Sequence, residues 1–165
     1  MKSNPPCTIE HLRKSLRYDP RTGTFTWIWH HHRKDLVGSI AGSAQSAGYW
    51  SIAIYNRKQL AHRLAWFYVT GVWPTQHIDH KNGVKTDNRI ENLRKVTRAE
   101  NLQNIRRATK ANKIGFLGVC AHQGKWLMQI MANGKRIRKS GFDTPEEAHQ
   151  AYLNAKRELH ATCTI

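Results

Sequence analysis

The stretch His77-Ile78-Asp79-His80-Lys81-Asn82-Gly83 decides how this chain is interpreted, because a carboxylate and an imidazole stand next to each other in it. Residues 76–80 favour a short strand, whose alternation would put His77 and Asp79 on one face and His80 on the other. The loop that follows holds two pairs typical of turns, to which we assign no further role: Asn82-Gly83 and Asp87-Asn88.

A second strand and a helix are predicted after this loop. Residues 90–96 lead into Thr97 and Glu100, which form a capping box and predict a helix that begins directly after Thr97. Asn101 then lies about one turn into the helix, and Asn104 follows one turn later on the same face. The expected order is strand, loop, strand and helix, with a candidate site between the first strand and the helix.

The residue types in this segment suit cleavage of a phosphodiester bond. Asp79 offers a carboxylate oxygen and Asn101 an amide oxygen, which are the hard ligands that Mg²⁺ prefers. Such an ion would stabilise charge on the phosphate and on the departing 3′ oxygen. His80 has the side chain best suited to take a proton from the attacking water. Asn92 is expected to bond the loop and to hold the histidine in place.

The composition favours a polyanionic partner. The 165 residues include 27 Lys or Arg against 11 Asp or Glu, which gives a net charge of +16. A basic protein with no nucleic acid is the alternative, because charge alone is a weak signal. Six Trp, five Tyr and four Phe are enough to build a core, so a disordered chain is not expected. The length suits one ordinary domain or two small ones.

The cysteines and the hydropathy exclude several other classes. The three cysteines, Cys7, Cys120 and Cys163, are far apart and never form a CxxC pair. This spacing argues against a structural zinc site and a disulfide framework, and it favours a reducing cytoplasm. No apolar run approaches the roughly 20 residues of a membrane helix, so no membrane partner is expected.

Apolar periodicity predicts four elements upstream of the candidate site. Helices are expected at residues 9–17 and 60–68, and strands at residues 24–29 and 49–55. Gly71 is expected to end the second helix, and Pro74 prevents its return. Asn56-Arg57 is read as the turn that ends the second strand.

Two groups of polar residues upstream have a functional and a structural interpretation. For His30-His31-His32 a solvated loop is favoured over a metal site, because consecutive side chains diverge in direction. For His62 and Arg63, surface or half-buried positions are favoured over a reach towards DNA or the site.

The segment from Leu60 to Asn104 resembles the HNH endonucleases, in the branch found in bacteriophages and among intron-borne homing endonucleases. The following residues carry the resemblance, with an upstream part included: Tyr18-Asp19-Pro20, Thr22-Gly23, Phe25, Trp27, His62-Arg63-Leu64-Ala65-Trp66, Trp73-Pro74, residues 77–83, Asp87-Asn88-Arg89, Asn92-Leu93-Arg94 and residues 100–104.

The resemblance implies a ββα-metal (His-Me finger) nuclease with a defined set of site residues. Asp79 would be a metal ligand, His80 the general base and Asn92 the middle residue of the family's name. Asn101 stands where many members have a metal-binding histidine, which implies Mg²⁺ or Mn²⁺ more than Zn²⁺. Asn104 and His77 are candidates for supporting the site, and His77 either supports it or lies outside it.

A second pattern begins after residue 113. Residues 115–121, 125–132 and 135–140 predict three strands, and Asn133-Gly134 predicts a two-residue hairpin turn. Thr144-Pro145-Glu146-Glu147 starts a helix whose apolar stripe is expected to cover one face of the sheet. The other face of the sheet carries Lys125, Gln129, Arg136 and Arg138.

Residues 114–160 resemble the ethylene-response-factor (Apetala-type) DNA-binding domain. The resemblance is carried by Gly118-Val119, Gly124-Lys125-Trp126, Gln129-Ile130, residues 141–148 and Ala151-Tyr152. It implies that the open sheet face binds DNA through Lys125, Gln129, Arg136 and Arg138. The family's first strand is rich in arginine, whereas Cys120-Ala121 stands there in this chain, which implies a looser sequence preference.

Together these patterns predict an α+β protein with two domains. The expected parts are a nuclease domain at residues 1–107 with its core motif at 76–107, a basic linker at 108–113, and a three-stranded antiparallel sheet packed on one helix at 114–165. The predicted function is a metal-dependent endonuclease on double-stranded DNA. It would act as a monomer that most simply nicks one strand, in the cytoplasm of a phage-infected bacterium.

Two other functions compete with this one. A DNA-binding protein without cleavage activity would be recognised by the loss of Asp79, His80 or Asn101, and all three are present. An RNA-binding module ranks lowest, because the aromatic and glycine patterns of common RNA-binding domains are not evident.

Overall fold

The protein has a mixed α+β architecture. The structure, a computed structural model, describes residues 7–105, 108 and 112–160. The chain divides into two compact units, residues 1–98 and 99–165. Half of the predicted linker at 108–113 lies outside the described residues, and the predicted domain boundaries stay predictions.

The first unit is built from antiparallel hairpins and two helices. In chain order its elements are α1 (Ile9–Ser15), β1 (Leu16–Asp19), β2 (Thr24–Trp27), β3 (Ser43–Ala44), β4 (Trp50–Ile54), β5 (Arg57–Leu60), α2 (Ala61–Thr70), β6 (His77–His80) and β7 (Leu93–Val96). Strand β1 pairs with β2, β4 lies between β3 and β5, and β6 pairs with β7. Single 3₁₀ turns occur at Lys34–Leu36 and Ile90–Asn92.

Strand β5 differs from the sequence prediction. We expected a turn at Asn56-Arg57, but the turn residues are Tyr55 and Asn56, which adopt φ angles of 48° and 58°. Arg57 already belongs to β5 and pairs with Ile54. The prediction was wrong here because a tyrosine is an unfavourable residue for the left-handed region, so its turn role was not recognised.

Helix α2 and the core of the first unit follow the apolar pattern. The helix runs from Ala61 to Thr70, and Gly71, with a φ of 70°, forms the left-handed C-terminal cap that the sequence predicts. The buried core includes Leu12, Phe25 and Leu64 from α1, β2 and α2.

The second unit contains a three-stranded antiparallel sheet and a long helix. Its elements are α3 (Arg98–Gln103, whose first residue ends the first unit), β8 (Val119–His122), β9 (Lys125–Ala132), β10 (Lys135–Phe142) and α4 (Pro145–Leu159). Strand β9 lies between β8 and β10. The predicted cap is present, because the Thr144 hydroxyl accepts a hydrogen bond from the Glu147 amide at 3.2 Å.

Apolar residues of the sheet and of α4 form the core of the second unit. Val119, Met128 and Ile130 pack with Ala148 and Tyr152, and all five are buried. Among the described residues, no helix has the length and apolar character needed to cross a membrane.

Candidate active site

The β6–β7 hairpin places Asp79 and His80 on opposite faces. Asp79 lies opposite Arg94 and His80 opposite Leu93 in the register. His80 is only 3% exposed, whereas Asp79 is half-buried. The alternation of the strand therefore puts the imidazole in the interior and the carboxylate at the rim.

An ion pair holds the Asp79 carboxylate. Arg94 donates from Nε at 3.1 Å and from Nη2 at 2.9 Å, and both bonds end on Oδ2 of Asp79. The side chains are 12% and 20% exposed for Asp79 and Arg94, so the pair is largely shielded from water. A carboxylate oxygen at this position is chemically suited to Mg²⁺, which prefers hard oxygen ligands.

A buried hydrogen bond fixes the imidazole of His80. Its Nε2 lies 3.1 Å from Oδ1 of Asn88, which is also only 3% exposed. Because an amide oxygen can only accept, this contact places the ring proton on Nε2. The other ring nitrogen, Nδ1, is then the basic atom of the neutral imidazole.

The surroundings of His80 favour this neutral form. Burial lowers the pKa of His80 below its usual value, and the positive charge of Lys85 acts in the same direction. The bond to Asn88 and the carboxylates of Asp79 and Asp87 oppose this effect without cancelling it. The imidazole is therefore able to accept a proton at neutral pH.

Asn88 is the residue that our sequence interpretation missed at this site. The sequence predicts only a turn for the pair Asp87-Asn88, and it assigns to Asn92 the role of holding His80. A turn residue gives no sequence signal for a buried contact with a histidine on the preceding strand.

Two residues of the upstream segment support the backbone of Asn88. The Tyr18 hydroxyl donates a buried hydrogen bond to the Asn88 carbonyl at 2.8 Å. Gly23, with a φ of +73°, lies so close that an added Cβ would be 2.6 Å from the Asn88 carbonyl carbon and 2.5 Å from the Arg89 nitrogen. Only glycine fits there, so the β1–β2 hairpin and the site loop are fitted to each other.

Asn92 ties together the two ends of the loop between β6 and β7. Its Nδ2 donates to the Asp87 carbonyl at 2.8 Å and to Oδ1 of Asn82 at 3.0 Å, and its Oδ1 accepts from the Asn82 amide at 3.0 Å. Arg89 bonds Asp87 and lowers the pKa of that carboxyl to about 2. The loop is thus held by a network of charged and amide groups.

His62 lies against His80, which corrects the favoured interpretation of His62 as a surface or half-buried residue. It is 4% exposed, and the two imidazole rings meet edge to face with their centroids 4.9 Å apart. Burial, followed by the nearby charges of His80 and Arg63, lowers the pKa of His62 to about 3. Helix α2 is apolar on most of its surface, and this could have indicated that a polar residue within it is buried.

The buried Nδ1 of His62 has no hydrogen-bond partner in the part of the chain that the structure describes. A neutral imidazole can tolerate this better than a charged one. His62 is therefore a neutral packing partner of His80.

Tyr49 and Lys85 complete the surroundings of the two histidines. The Tyr49 ring lies 5.4 Å from the His62 ring and 6.1 Å from the His80 ring, measured between centroids. Burial and the charge of Asp79 raise the pKa of Tyr49. The Lys85 ammonium lies 4.7 Å from the centroid of the Tyr49 ring and donates to the Ala47 carbonyl at 2.9 Å. A cation is thereby held beside the candidate site.

The proposed roles of three further site residues stay predictions. Asn101 is half-buried in α3 and Asn104 is buried just after it, and both belong to the second unit. His77 is exposed on β6. Within residues 7–105, 108 and 112–160, no three or more His, Cys, Asp or Glu side chains are grouped so as to hold a metal ion.

The sheet of the second unit presents the predicted basic residues on one face. Arg138 pairs with Gln129 and Arg136 with Met131, so these side chains share a face. Both arginines are exposed and Gln129 is half-buried. Lys125 forms an ion pair with Asp143, which raises the pKa of the lysine.

Comparison with known proteins identifies one part of the chain. Residues 59–103, from the end of β5 to the end of α3, match the family model described as HNH endonuclease. Neither the curated proteins nor the solved structures contain a match. The match includes Asp79, His80 and Asn92, and it supports a nuclease-type function for this protein.

Proposed function

We propose that this protein is a metal-dependent endonuclease that hydrolyses phosphodiester bonds in double-stranded DNA, with His80 as the general base. One observation carries the proposal. The buried bond from His80 Nε2 to Asn88 leaves Nδ1 as the basic nitrogen, and His80 directly follows Asp79 within the segment that matches HNH endonucleases. General bases of this kind contribute roughly 10²- to 10⁴-fold to a rate.

Each residue of the site has a role in the proposed reaction. His80 takes a proton from the attacking water on Nδ1 and keeps its own proton on Nε2 through Asn88. Asn92 holds the loop that carries Asn88. Lys85 offers positive charge to the backbone of the bound strand.

A bound Mg²⁺ or Mn²⁺ ion would stabilise negative charge on the phosphate and on the leaving oxygen. Asp79 and Asn101 would hold it, because their carboxylate and amide oxygens match the preference of these ions. Arg94 now neutralises Asp79, so an ion that binds there competes with an existing partner.

The second unit is proposed to hold the DNA. Gln129, Arg136 and Arg138 would contact it from the open sheet face, and Lys125 would do so next to its ion pair with Asp143. A small antiparallel sheet can enter the major groove of DNA.

His77 and Asn104 are proposed to support the site. A single site per monomer would nick one strand, and a phage origin fits this type of nuclease.

The test is conversion of supercoiled plasmid with Mg²⁺, with Mn²⁺ and with EDTA. We expect open-circle product with either ion, none with EDTA, and none from the Asp79→Ala variant. Asp35→Ala is the matched control, because Asp35 is a carboxylate of the same unit with a side chain 61% exposed. If the wild type converts no plasmid under any of these conditions, a DNA-binding protein without cleavage activity becomes the better description.

A further inference from the structure

A cavity of about 430 Å³ opens in the first unit, and its lining includes none of the residues of the candidate active site. Its volume is within the range of small-molecule sites in proteins. It lies between the end of α1, the end of β2 and the β4–β5 turn. The rings that line it belong to Trp27, Trp29, His30, His31, His32 and Tyr55.

The two tryptophans form different parts of this cavity. Trp27 is buried and contacts His30 edge to face, with their centroids 4.8 Å apart, so it belongs to the fixed base of the cavity. Trp29 is 38% exposed and therefore accessible from solvent. The Lys14 ammonium lies 5.6 Å from the centroid of the Trp29 ring. An accessible aromatic ring is thus paired with a positive charge at the rim.

Tyr55 adds a second accessible ring, and its backbone conformation is unusual for a tyrosine. It is 46% exposed and has a φ of 48°, a conformation that bulky residues rarely adopt. Asparagine or glycine is the common choice at this position of a two-residue turn. Residues held in such conformations cluster at ligand sites. A hydroxyl contact of 3.4 Å with Ser15, which also lines the cavity, joins this turn to α1.

His30 supplies a hydrogen-bond donor to the lining. Its Nδ1 accepts from the backbone amides of His32 at 3.3 Å and Arg33 at 3.1 Å. The ring proton therefore lies on Nε2, which is the donor nitrogen of this ring.

We propose that this cavity binds one unstacked nucleobase of a nucleic-acid strand. The base would stack on Trp29 and Tyr55, as bases do on aromatic side chains in single-strand-binding proteins. Nε2 of His30 would donate to a ring nitrogen or a carbonyl oxygen of the base. Lys14 would neutralise the adjoining phosphate. The lining, which lies entirely in the described part of the chain, has no acidic side chain, and the net charge of +16 favours a polyanion.

This inference does not depend on cleavage. The binding measurement is made in EDTA, where the proposed nuclease is inactive, so a failure of the nuclease proposal and a failure of this one are separate results.

The experiment compares two DNA duplexes of equal length, one fully paired and one with a single bulged base, by fluorescence anisotropy with the full-length protein. We expect the wild type to bind the bulged duplex about ten-fold more tightly, within the range for one stacked base. Trp29→Ala should remove this preference, and Trp29→Phe should keep most of it because an aromatic ring remains.

Further variants keep the test decisive if Trp29→Ala folds poorly. Tyr55→Gly removes a ring at a position whose φ suits glycine, so it should fold and still lose most of the preference. Lys58→Ala removes an exposed lysine of β5 that does not line the cavity, and it should retain the preference. Equal affinity of the wild type for both duplexes would overturn the proposal. So would a preference that survives both Trp29→Ala and Tyr55→Gly.

Discussion

The candidate site of the first unit and strand β10 of the second unit place their polar residues in opposite environments. In the first unit the polar groups of the candidate site are buried, and His62, His80, Asn88 and Asn92 are only 3–6% exposed. In the second unit the residues from Lys135 to Gly141 on β10 are all exposed. Buried polar groups need partners that fix them, which suits proton transfer. Exposed cations can meet a phosphate backbone without rearrangement, which suits binding. The comparison therefore predicts that chemistry and affinity can be changed separately.

The largest effect is expected from His80→Ala. Loss of the proposed general base should reduce plasmid cleavage by roughly 10²- to 10⁴-fold. DNA affinity, measured in EDTA by gel shift, should stay unchanged because the basic sheet face is untouched. His11→Ala removes an exposed histidine of α1 and is the matched control. Equal loss of cleavage and of affinity would contradict the prediction that chemistry and affinity can be changed separately.

Asn88→Ala should reduce cleavage by about 10- to 100-fold, the usual cost of losing a partner that orients a functional histidine. The His80 ring would lose the acceptor that fixes its tautomer. Asn88→Asp keeps an acceptor oxygen and should retain more activity. Its negative charge should also move the pH–rate profile to higher pH by raising the pKa of His80. Identical rates and pH profiles for the two variants would contradict the positioning role.

His62 should make the protein less stable in mild acid. Its pKa of about 3 in the folded state is below the usual 6.5, so the unfolded state binds more protons as the pH falls. The stability that the protein has while His62 is neutral is fully present above pH 6.5, and it is lost progressively as the pH falls towards 3. Between pH 7 and pH 5 it corresponds to about 2 kcal/mol of unfolding free energy. Urea denaturation of the wild type and of His62→Gln at both pH values should show a smaller loss in the variant.

The smallest effect is expected from the double variant Arg136→Ala/Arg138→Ala. Removing two phosphate contacts should weaken DNA binding by about ten-fold and lower the slope of log K against log salt by about two. Stability should change little because both side chains are exposed. Lys139→Ala is the matched control, since Lys139 pairs with Met128 on the opposite face of the sheet. A cleavage defect that persists at saturating DNA would show that the two arginines of the sheet face affect the chemical step and not only binding.

The local features of the fold could be predicted from the sequence. The Thr144 cap, the Gly71 helix end and the Asn133-Gly134 hairpin each depend on residues close together in the chain. Strand β5 was missed because its turn begins with Tyr55, a residue that turn chemistry disfavours. At that position tertiary packing determined a conformation that local preference opposes.

The candidate site was predicted less completely for a similar reason. The adjacency of Asp79 and His80 is visible in the sequence, and so is the spacing to Asn92. The contacts of His80 with Asn88 and His62 form between elements, so no local pattern reports them. The reactive side chains proposed from the sequence stay predictions, whereas the contacts that hold His80 became visible only in the structure.

The close approach of Gly23 and Tyr18 to Asn88 bears on how the candidate site could be transferred to another protein. A graft of residues 59–103 into another protein would carry His80, the proposed general base. It would leave behind the β1–β2 hairpin, which holds the backbone of Asn88. The smallest transferable part of this protein therefore begins upstream of Tyr18, and any exchange of segments between related genes must move the two pieces together.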